Sequence, residues 1–210
     1  QEYQSLKRPE SIQKTSHKLT LLFDLDETLA HCTEEDKVLE GREDFELLIR
    51  PKAVQVLKAL QEKFEIGLFT SSRKEYAEKV LKVLDPEHTL FSIRLFRESC
   101  IEISGVWVKD LRILGENTNR TFLVDNNLYC AALNPQNHIP ILSFTGDEQD
   151  RELDSLLVYL GWLGRQSGPL QANAHYFGHD LLAKYIHSVK SLPQVMLARI
   201  LELSTKNFSK

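Results

Sequence analysis

Short apolar runs and amphipathic stretches take turns along this chain. Lys18-Leu19-Thr20-Leu21-Leu22-Phe23 is largely apolar on both faces and stops at Asp24. A run this short and two-sided is the pattern of a buried strand in a parallel sheet. Glu65-Ile66-Gly67-Leu68-Phe69 reads as another strand, and Thr121-Phe122-Leu123-Val124 again ends on an aspartate, Asp125. Phe45 to Ile49 predicts a short strand, one arm of a hairpin. Residues 92–97 and 101–108 predict two extended pieces, the second broken at Ser104-Gly105, and Ile139-Pro140-Ile141-Leu142 a further strand. Between these, residues 52–63 set Val56, Leu57, Leu60 and Phe64 on one helical face. Arg73 to Leu84 sets Tyr76, Val80, Val83 and Leu84 at helical spacing and ends at Asp85-Pro86. Asp150 to Leu163 is a third amphipathic helix. This alternation predicts an α/β fold with a mainly parallel central sheet.

The two ends read differently. Residues 1–17 are polar, contain Pro9 and predict an arm. Residues 18–163 form one domain with a short flap at about 33–49. Gln166-Ser167-Gly168-Pro169 reads as a hinge into a helical extension, 164–210. There Leu181, Leu182, Tyr185, Ile186 and Val189 make one stripe, and 195–203 is nearly all apolar, fit to pack on the core or on a docking partner.

Composition narrows the class. The 210 residues are 42% hydrophobic, enough for one core. Twenty-six basic against 30 acidic side chains give a net charge of −4, which argues against direct nucleic-acid binding. No apolar run is long enough for a membrane span. Three cysteines, Cys32, Cys100 and Cys130, are too few and too scattered for a disulfide framework or a zinc-ligand pair. They point to a reducing compartment, intracellular and either nuclear or cytoplasmic. The chain starts at Gln1, as a fragment or a processed form does, with any targeting signal outside it. Charge is uneven: residues 33–44 carry six acidic and two basic side chains, residues 165–210 six basic and two acidic.

Ligands of parallel α/β sheets bind beyond the carboxyl ends of the strands. Asp24-Leu25-Asp26-Glu27-Thr28 places two carboxylates there, two residues apart. Thr70-Ser71-Ser72, after the strand at 65–69, offers hydroxyls and backbone amides suited to a phosphate. Taken alone, a pair of aspartates only caps the following helix in most sequences.

The ordered set is more specific. Asp24-Leu25-Asp26-Glu27-Thr28-Leu29 with His31 resembles the first motif of aspartate-dependent phosphatases of the haloacid dehalogenase superfamily. It is most similar to the branch of the small RNA polymerase II carboxy-terminal-domain phosphatases and Dullard-like phosphatases. Phe69-Thr70-Ser71-Ser72 resembles the second motif, with Ser71 in place of the usual alanine. Leu95-Phe96-Arg97-Glu98-Ser99-Cys100 resembles a run typical of the branch, and Val108-Lys109-Asp110-Leu111 the motif carrying its lysine. Val124-Asp125-Asn126 resembles the last motif, with Asn127 where serine is usual. The likeness covers about 18–163.

That resemblance implies a Rossmann-like haloacid-dehalogenase fold with a flap after the first strand. It implies a Mg²⁺-dependent phosphatase acting on phosphoserine or phosphothreonine in a protein, such as the polymerase tail. Asp24 would be the nucleophile that becomes an aspartyl-phosphate, and Asp26 the acid and base. Lys109 and Thr70 complete the expected catalytic set. Thr28, Ser71 and Arg97 would bind substrate or phosphate, although an ion-pairing Arg97 is an equal alternative. Asp24, Asp125, Asn126 and the backbone carbonyl of Asp26 would serve Mg²⁺. The cysteines read as bystanders, since no C-x₅-R signature follows any of them. His175 and His179 stand four apart but lack a third metal ligand.

The acidic flap predicts a preference for phosphopeptides with neutral or basic flanks. Two other readings stay open: a catalytically inactive relative acting as a protein-binding module, like a mitochondrial translocase receptor, and a small-molecule phosphatase.

Overall fold

Five short, largely apolar strands build the main sheet: β1 (Leu19–Phe23), β4 (Phe64–Phe69), β5 (Ile93–Leu95), β8 (Thr121–Asp125) and β9 (His138–Pro140). The computed structural model describes residues 18–33, 46–103, 105–115 and 117–177. Between these strands lie β2 (Ala30–Cys32), β3 (Leu47–Ile49), β6 (Ile101–Ile103) and β7 (Val106–Val108). The helices are α1 (Ala53–Gln61), α2 (Lys74–Leu84) and α3 (Glu152–Leu163).

The main sheet runs β5-β4-β1-β8-β9, and all its pairings are parallel. β1 is buried along its whole length, as its two-sided apolar run predicts. Leu21 and Phe23 join the larger core cluster, with Val56 and Leu57 of α1, Val80 and Leu81 of α2, and Leu156 and Leu160 of α3. Leu22 turns to the opposite face, where it meets Phe69, Ile93, Leu111 and Leu123. Each such buried side chain contributes about 2 kcal/mol. Gly67 lies opposite Leu22; a Cβ there would fall 2.7 Å from Leu22 Cδ2 and 3.0 Å from Ile93 Cβ. A side chain there would push Leu22 and Ile93 aside, so glycine suits the close approach of the three strands.

From β1 the chain builds outward to β4 and β5, then crosses back to add β8 and β9 on the other side. The reversal leaves the carboxyl ends of β1, β4 and β8 side by side, and a crevice opens at such a reversal. Two antiparallel pairs, β2 with β3 and β6 with β7, sit outside the main sheet. The β2–β3 pair is the base of the predicted flap; residues 34–45, most of that flap and including Phe45, lie outside the described residues.

Several expectations need correction in detail. Val83 is 59% exposed, and Ala77 and Leu81 hold the buried stripe of α2 with Tyr76, Val80 and Leu84. The 3.6-residue period places 76, 77, 80, 81 and 84 together and turns 83 outward. The last strand stops at Pro140, and Leu142 is 69% exposed. Extended structure over 92–97 contracts to β5, followed by a 3-10 turn at Arg97–Ser99. The hinge is only a bend: helix resumes over 169–177, starting at Pro169, a residue suited to a first helical position. Leu170, Ala172 and Phe177 pack against the core. Residues 1–17 and 178–210, with the two predicted apolar stretches and His179, lie outside the described residues. Among the described residues, no helix is long and apolar enough to cross a membrane.

Candidate active site

β1, β4 and β8 each deliver a polar residue to the same end of the sheet. Asp24 follows β1 directly, and its N–H donates to Val124 O of β8 at 2.9 Å. Asp125 is the last residue of β8. Lys109 follows β7, where its backbone N–H donates to Cys130 O at 2.8 Å. Its side chain is fully buried, and its ammonium donates to Asp24 Oδ1 at 2.5 Å and to Asp125 Oδ2 at 2.6 Å. The ammonium also sits 5.9 Å from the centre of the Phe69 ring.

Two buried carboxylates thus share one ammonium. Burial favours a neutral amine, but Asp125 and Asp24 outweigh it and hold Lys109 charged above the ordinary lysine range. Burial pushes the Asp24 carboxyl up to about 7, against the pull of Lys109 and with a further push from Asp125. The cluster is short of positive charge.

Asp26 sits on the tight loop after β1. Leu25 O accepts from the N–H groups of Leu29 and Ala30 at 2.8 and 3.0 Å, and Glu27 adopts a left-handed φ of 58°. A non-glycine residue held there carries backbone strain of the kind found in functional loops. Asp26 accepts from the Ser72 hydroxyl and the Tyr76 hydroxyl, each at 2.6 Å. Burial, then the Asp24 charge, raise its pKa, while these two hydrogen bonds lower it. The net direction is upward.

The remaining sites from the sequence fall around this pair. Thr70 is fully buried after β4, and its Oγ1 accepts from the Ser72 N–H at 3.0 Å. Thr28 donates its hydroxyl to Asn126 Oδ1 at 3.1 Å, and Asn126 Nδ2 donates to Glu27 and Ser143. Asn127 caps the next turn by accepting from the Tyr129 N–H. Ser71 contributes its carbonyl to Arg97 Nε at 2.6 Å, and the Arg97 guanidinium lies 5.5 Å from the Trp107 ring centre. Arg97 is therefore tied to the loop and to an aromatic ring; no carboxylate pairs with it among the contacts of the described residues. Cys100 and Cys130 are buried beside the cluster, and burial pushes both thiols up, Cys100 to about 12. Protonated thiols of that kind are poor nucleophiles.

A hard, oxygen-preferring cation fits this donor set. Asp24 is buried with excess negative charge around it, and the Asn126 amide oxygen stands on the neighbouring loop. Asp125 fits a supporting part: one oxygen accepts from Lys109 and the other from the Asn127 N–H at 2.7 Å. Among the described residues, no group of three or more His, Cys, Asp and Glu is placed to hold a metal. Water would fill most of the shell, as Mg²⁺ prefers.

Sequence reasoning missed three groups. Tyr76 reads as a core residue, yet its hydroxyl meets Asp26; a buried tyrosine one turn after Ser72 was the available signal. Ser72 reads only as part of a hydroxyl run. Arg50 carries no motif signal at all. It is buried, binds Asp150 through Nε and Nη2 at 2.8 and 2.7 Å, and donates to Thr28 O and Leu142 O.

The sequence profile of the NLI interacting factor-like phosphatases matches residues 19–168. A probable C-terminal domain small phosphatase of Dictyostelium discoideum is 41% identical over 151 residues, 67% of this chain and 49% of that protein. The human carboxy-terminal domain RNA polymerase II polypeptide A small phosphatase 1 is 35% identical over 167 residues, 75% of this chain and 64% of that protein. Across eight curated relatives, the matched stretch spans 28% to 64% of their length. The solved structure of Fcp1, an essential RNA polymerase II CTD phosphatase, superposes with a TM-score of 0.51 at 22% identity, over 73% of this chain and 56% of that one. That likeness speaks to the fold, and the α/β architecture agrees with it. By its profile match and its curated relatives, the chain belongs to the NLI interacting factor-like phosphatase family.

Proposed function

We propose that this chain is a Mg²⁺-dependent protein serine/threonine phosphatase working through an aspartyl-phosphate on Asp24. The observation that carries this reading is the buried Asp24–Lys109–Asp125 arrangement beside an Asp26 whose pKa is raised. In the first step an Asp24 carboxylate oxygen attacks phosphorus, and the bond from phosphorus to the substrate oxygen breaks. Asp26 gives its proton to that leaving oxygen. In the second step Asp26 takes a proton from water, the water oxygen attacks phosphorus, and the bond to Asp24 breaks to release inorganic phosphate. The raised pKa of Asp26 suits the first role, since an acid must hold its proton near neutral pH.

Lys109 offsets charge on Asp24 and on the transferred group. Thr70, oriented by the Ser72 N–H, donates to a phosphoryl oxygen, with Thr28, Ser71 and Arg97 at the substrate side. These groups act by position and charge. Asp24, the Asp26 carbonyl and Asn126, supported by Asp125, would hold Mg²⁺, which supplies positive charge to the phosphoryl oxygens when bound.

The substrate is a phosphoserine or phosphothreonine protein, the class named for the human relative being the polymerase tail. The acidic residues Glu34 to Asp44 favour peptides with neutral or basic flanks. Hydrolysis of an aryl phosphate with and without Mg²⁺, by wild type and Asp24→Asn, tests the reading. Wild type should turn over only with Mg²⁺, and the variant should lose about 10⁴-fold. An inactive wild type would support a binding module instead; activity surviving in the variant would remove Asp24 as nucleophile.

A further inference from the structure

The loop after β1 holds an acidic side chain that the proposed reaction leaves unused. Glu27 is pinned at both ends of its backbone: its N–H donates to Ala30 O, and its carbonyl accepts from the Phe144 N–H, each at 2.7 Å. Between these bonds the residue keeps its left-handed φ of 58°. Glutamate does not favour that conformation, so the fold maintains it against a local cost. The bond to Phe144 also sets the adjacent Ser143 beside the loop. Arg50 ties the same two segments together by donating to Thr28 O and Leu142 O. The side chain of residue 27 thus leaves from a fixed point.

What it meets is the Asn126 amide. Asn126 Nδ2 donates to Glu27 Oε2 at 3.2 Å and to Ser143 Oγ at 3.0 Å, while Asn126 Oδ1 accepts from the Thr28 hydroxyl at 3.1 Å. The two ends of an amide differ in chemistry but hardly in shape, so their partners decide which end points where. Hydroxyls do not decide it. Ser143 and Thr28 can each donate or accept, and would satisfy the amide equally well turned over. A carboxylate only accepts. Of these three partners, Glu27 alone distinguishes the two orientations.

We infer that Glu27 is a positioning residue, holding the Asn126 amide with its nitrogen toward residue 27 and its oxygen toward Thr28. The orientation stands on the hydrogen bonds; its purpose rests on the reading above that the Asn126 oxygen serves Mg²⁺. Turned over, the amide would present N–H groups, which repel a cation. Without Glu27 both orientations are open, and only the fraction with oxygen forward is competent to bind. Loss of a group that orients a metal ligand costs about tenfold or more in affinity.

Two measurements on the full chain test the inference. In metal-free protein, the side-chain amide proton signals of Asn126 are identified by their loss in Asn126→Asp. Glu27→Ala should shift the proton that faces residue 27 toward the free-asparagine position; unchanged signals would overturn the inference. Calorimetric titration with magnesium chloride reads the purpose. Glu27→Ala should weaken Mg²⁺ binding about tenfold. In the Asn126→Asp chain both ends of the side chain are oxygens and orientation has no meaning. There, adding Glu27→Ala should change the affinity by less than about twofold. Equal losses in both backgrounds would assign Glu27 to the general negative charge of the loop and overturn the positioning role. Equal Mg²⁺ binding by wild type and Glu27→Ala would overturn it as well, with the metal reading intact. A shifted amide signal in Glu27→Ala, with no Mg²⁺ binding by wild type, would uphold the orientation and remove the metal reading instead.

Discussion

Tyr76 donates its phenolic hydrogen to Asp26 Oδ1 at 2.6 Å from a side chain that is otherwise core, only 1% exposed. Tyr76 belongs to the buried stripe of α2 and to the larger core cluster, so packing holds the ring and the hydroxyl with it. Ser72 approaches the other oxygen of Asp26, and the carboxyl is fixed from two sides.

Removing one of these bonds should change the chemistry more than the fold. Tyr76→Phe keeps the ring volume and loses the donor. The rate should fall roughly tenfold, the value of one hydrogen bond to a charged group. The lost bond favoured the charged carboxylate, so the pKa of Asp26 should rise further. The limb where activity falls with rising pH should move to higher pH. A full pH profile of kcat for both proteins measures this; a lower rate with an unmoved limb would assign Tyr76 to packing alone.

Asp24 should set a pH dependence of stability. Its folded value of about 7 lies above the unfolded 3.8, so the folded state holds the proton more tightly. In metal-free buffer this group's contribution therefore weakens as pH rises from about 4 to about 7. Asp24→Asn removes the titration, and urea midpoints across that range should decline less for the variant. Parallel curves would contradict the burial argument.

The Arg50–Asp150 pair should carry more stability than an ordinary surface bridge. The Arg50 side chain is fully buried, Asp150 is 11% exposed, and the pair is bidentate. Asp150→Ala leaves a buried guanidinium without its carboxylate, a change costing about 3 kcal/mol. Arg50 lowers the Asp150 pKa, so the pair's contribution is complete above the ordinary carboxylate range and is lost as pH falls through the lowered value. Chemical denaturation at neutral and acid pH would read both effects.

Charge in the flap should govern substrate choice. Replacing the acidic residues Glu34, Glu35 and Asp36 by their amides should raise kcat/KM severalfold for doubly phosphorylated polymerase-tail repeats, and much less for peptides with basic flanks. Fastest turnover of the doubly phosphorylated repeats by wild type itself would refute the flap preference.

The strands were legible because burial on both faces leaves no polar position within a run such as Leu21-Leu22-Phe23. The two aspartates at strand ends were legible because the sheet's geometry forces residues there toward the crevice. Val83 was not: apolar content alone does not say which edge of a helical stripe turns outward. Leu142 was misread for a related reason, since Pro140 has no N–H to extend the ladder. Arg50 was invisible because its partners, Thr28, Leu142 and Asp150, lie 22, 92 and 100 residues away, and no local pattern records such a meeting. The Tyr76–Asp26 bond, 50 residues apart, escaped in the same way.

The order of the main sheet also has a temporal meaning. β1 leaves the ribosome before the other strands, but its neighbour β8 and the lysine that bridges them come much later; Lys109 follows Asp24 by 85 residues. At roughly 10 residues per second, the nascent chain exists for about 8 seconds with Asp24 made and its counter-charge not yet synthesised. Until β8 inserts beside β1, the first aspartate has no crevice, and Lys109 lacks its second carboxylate, Asp125. Activity should therefore switch on in one late step of synthesis, and a chain cut short before β8 should be inert however well its first half is made.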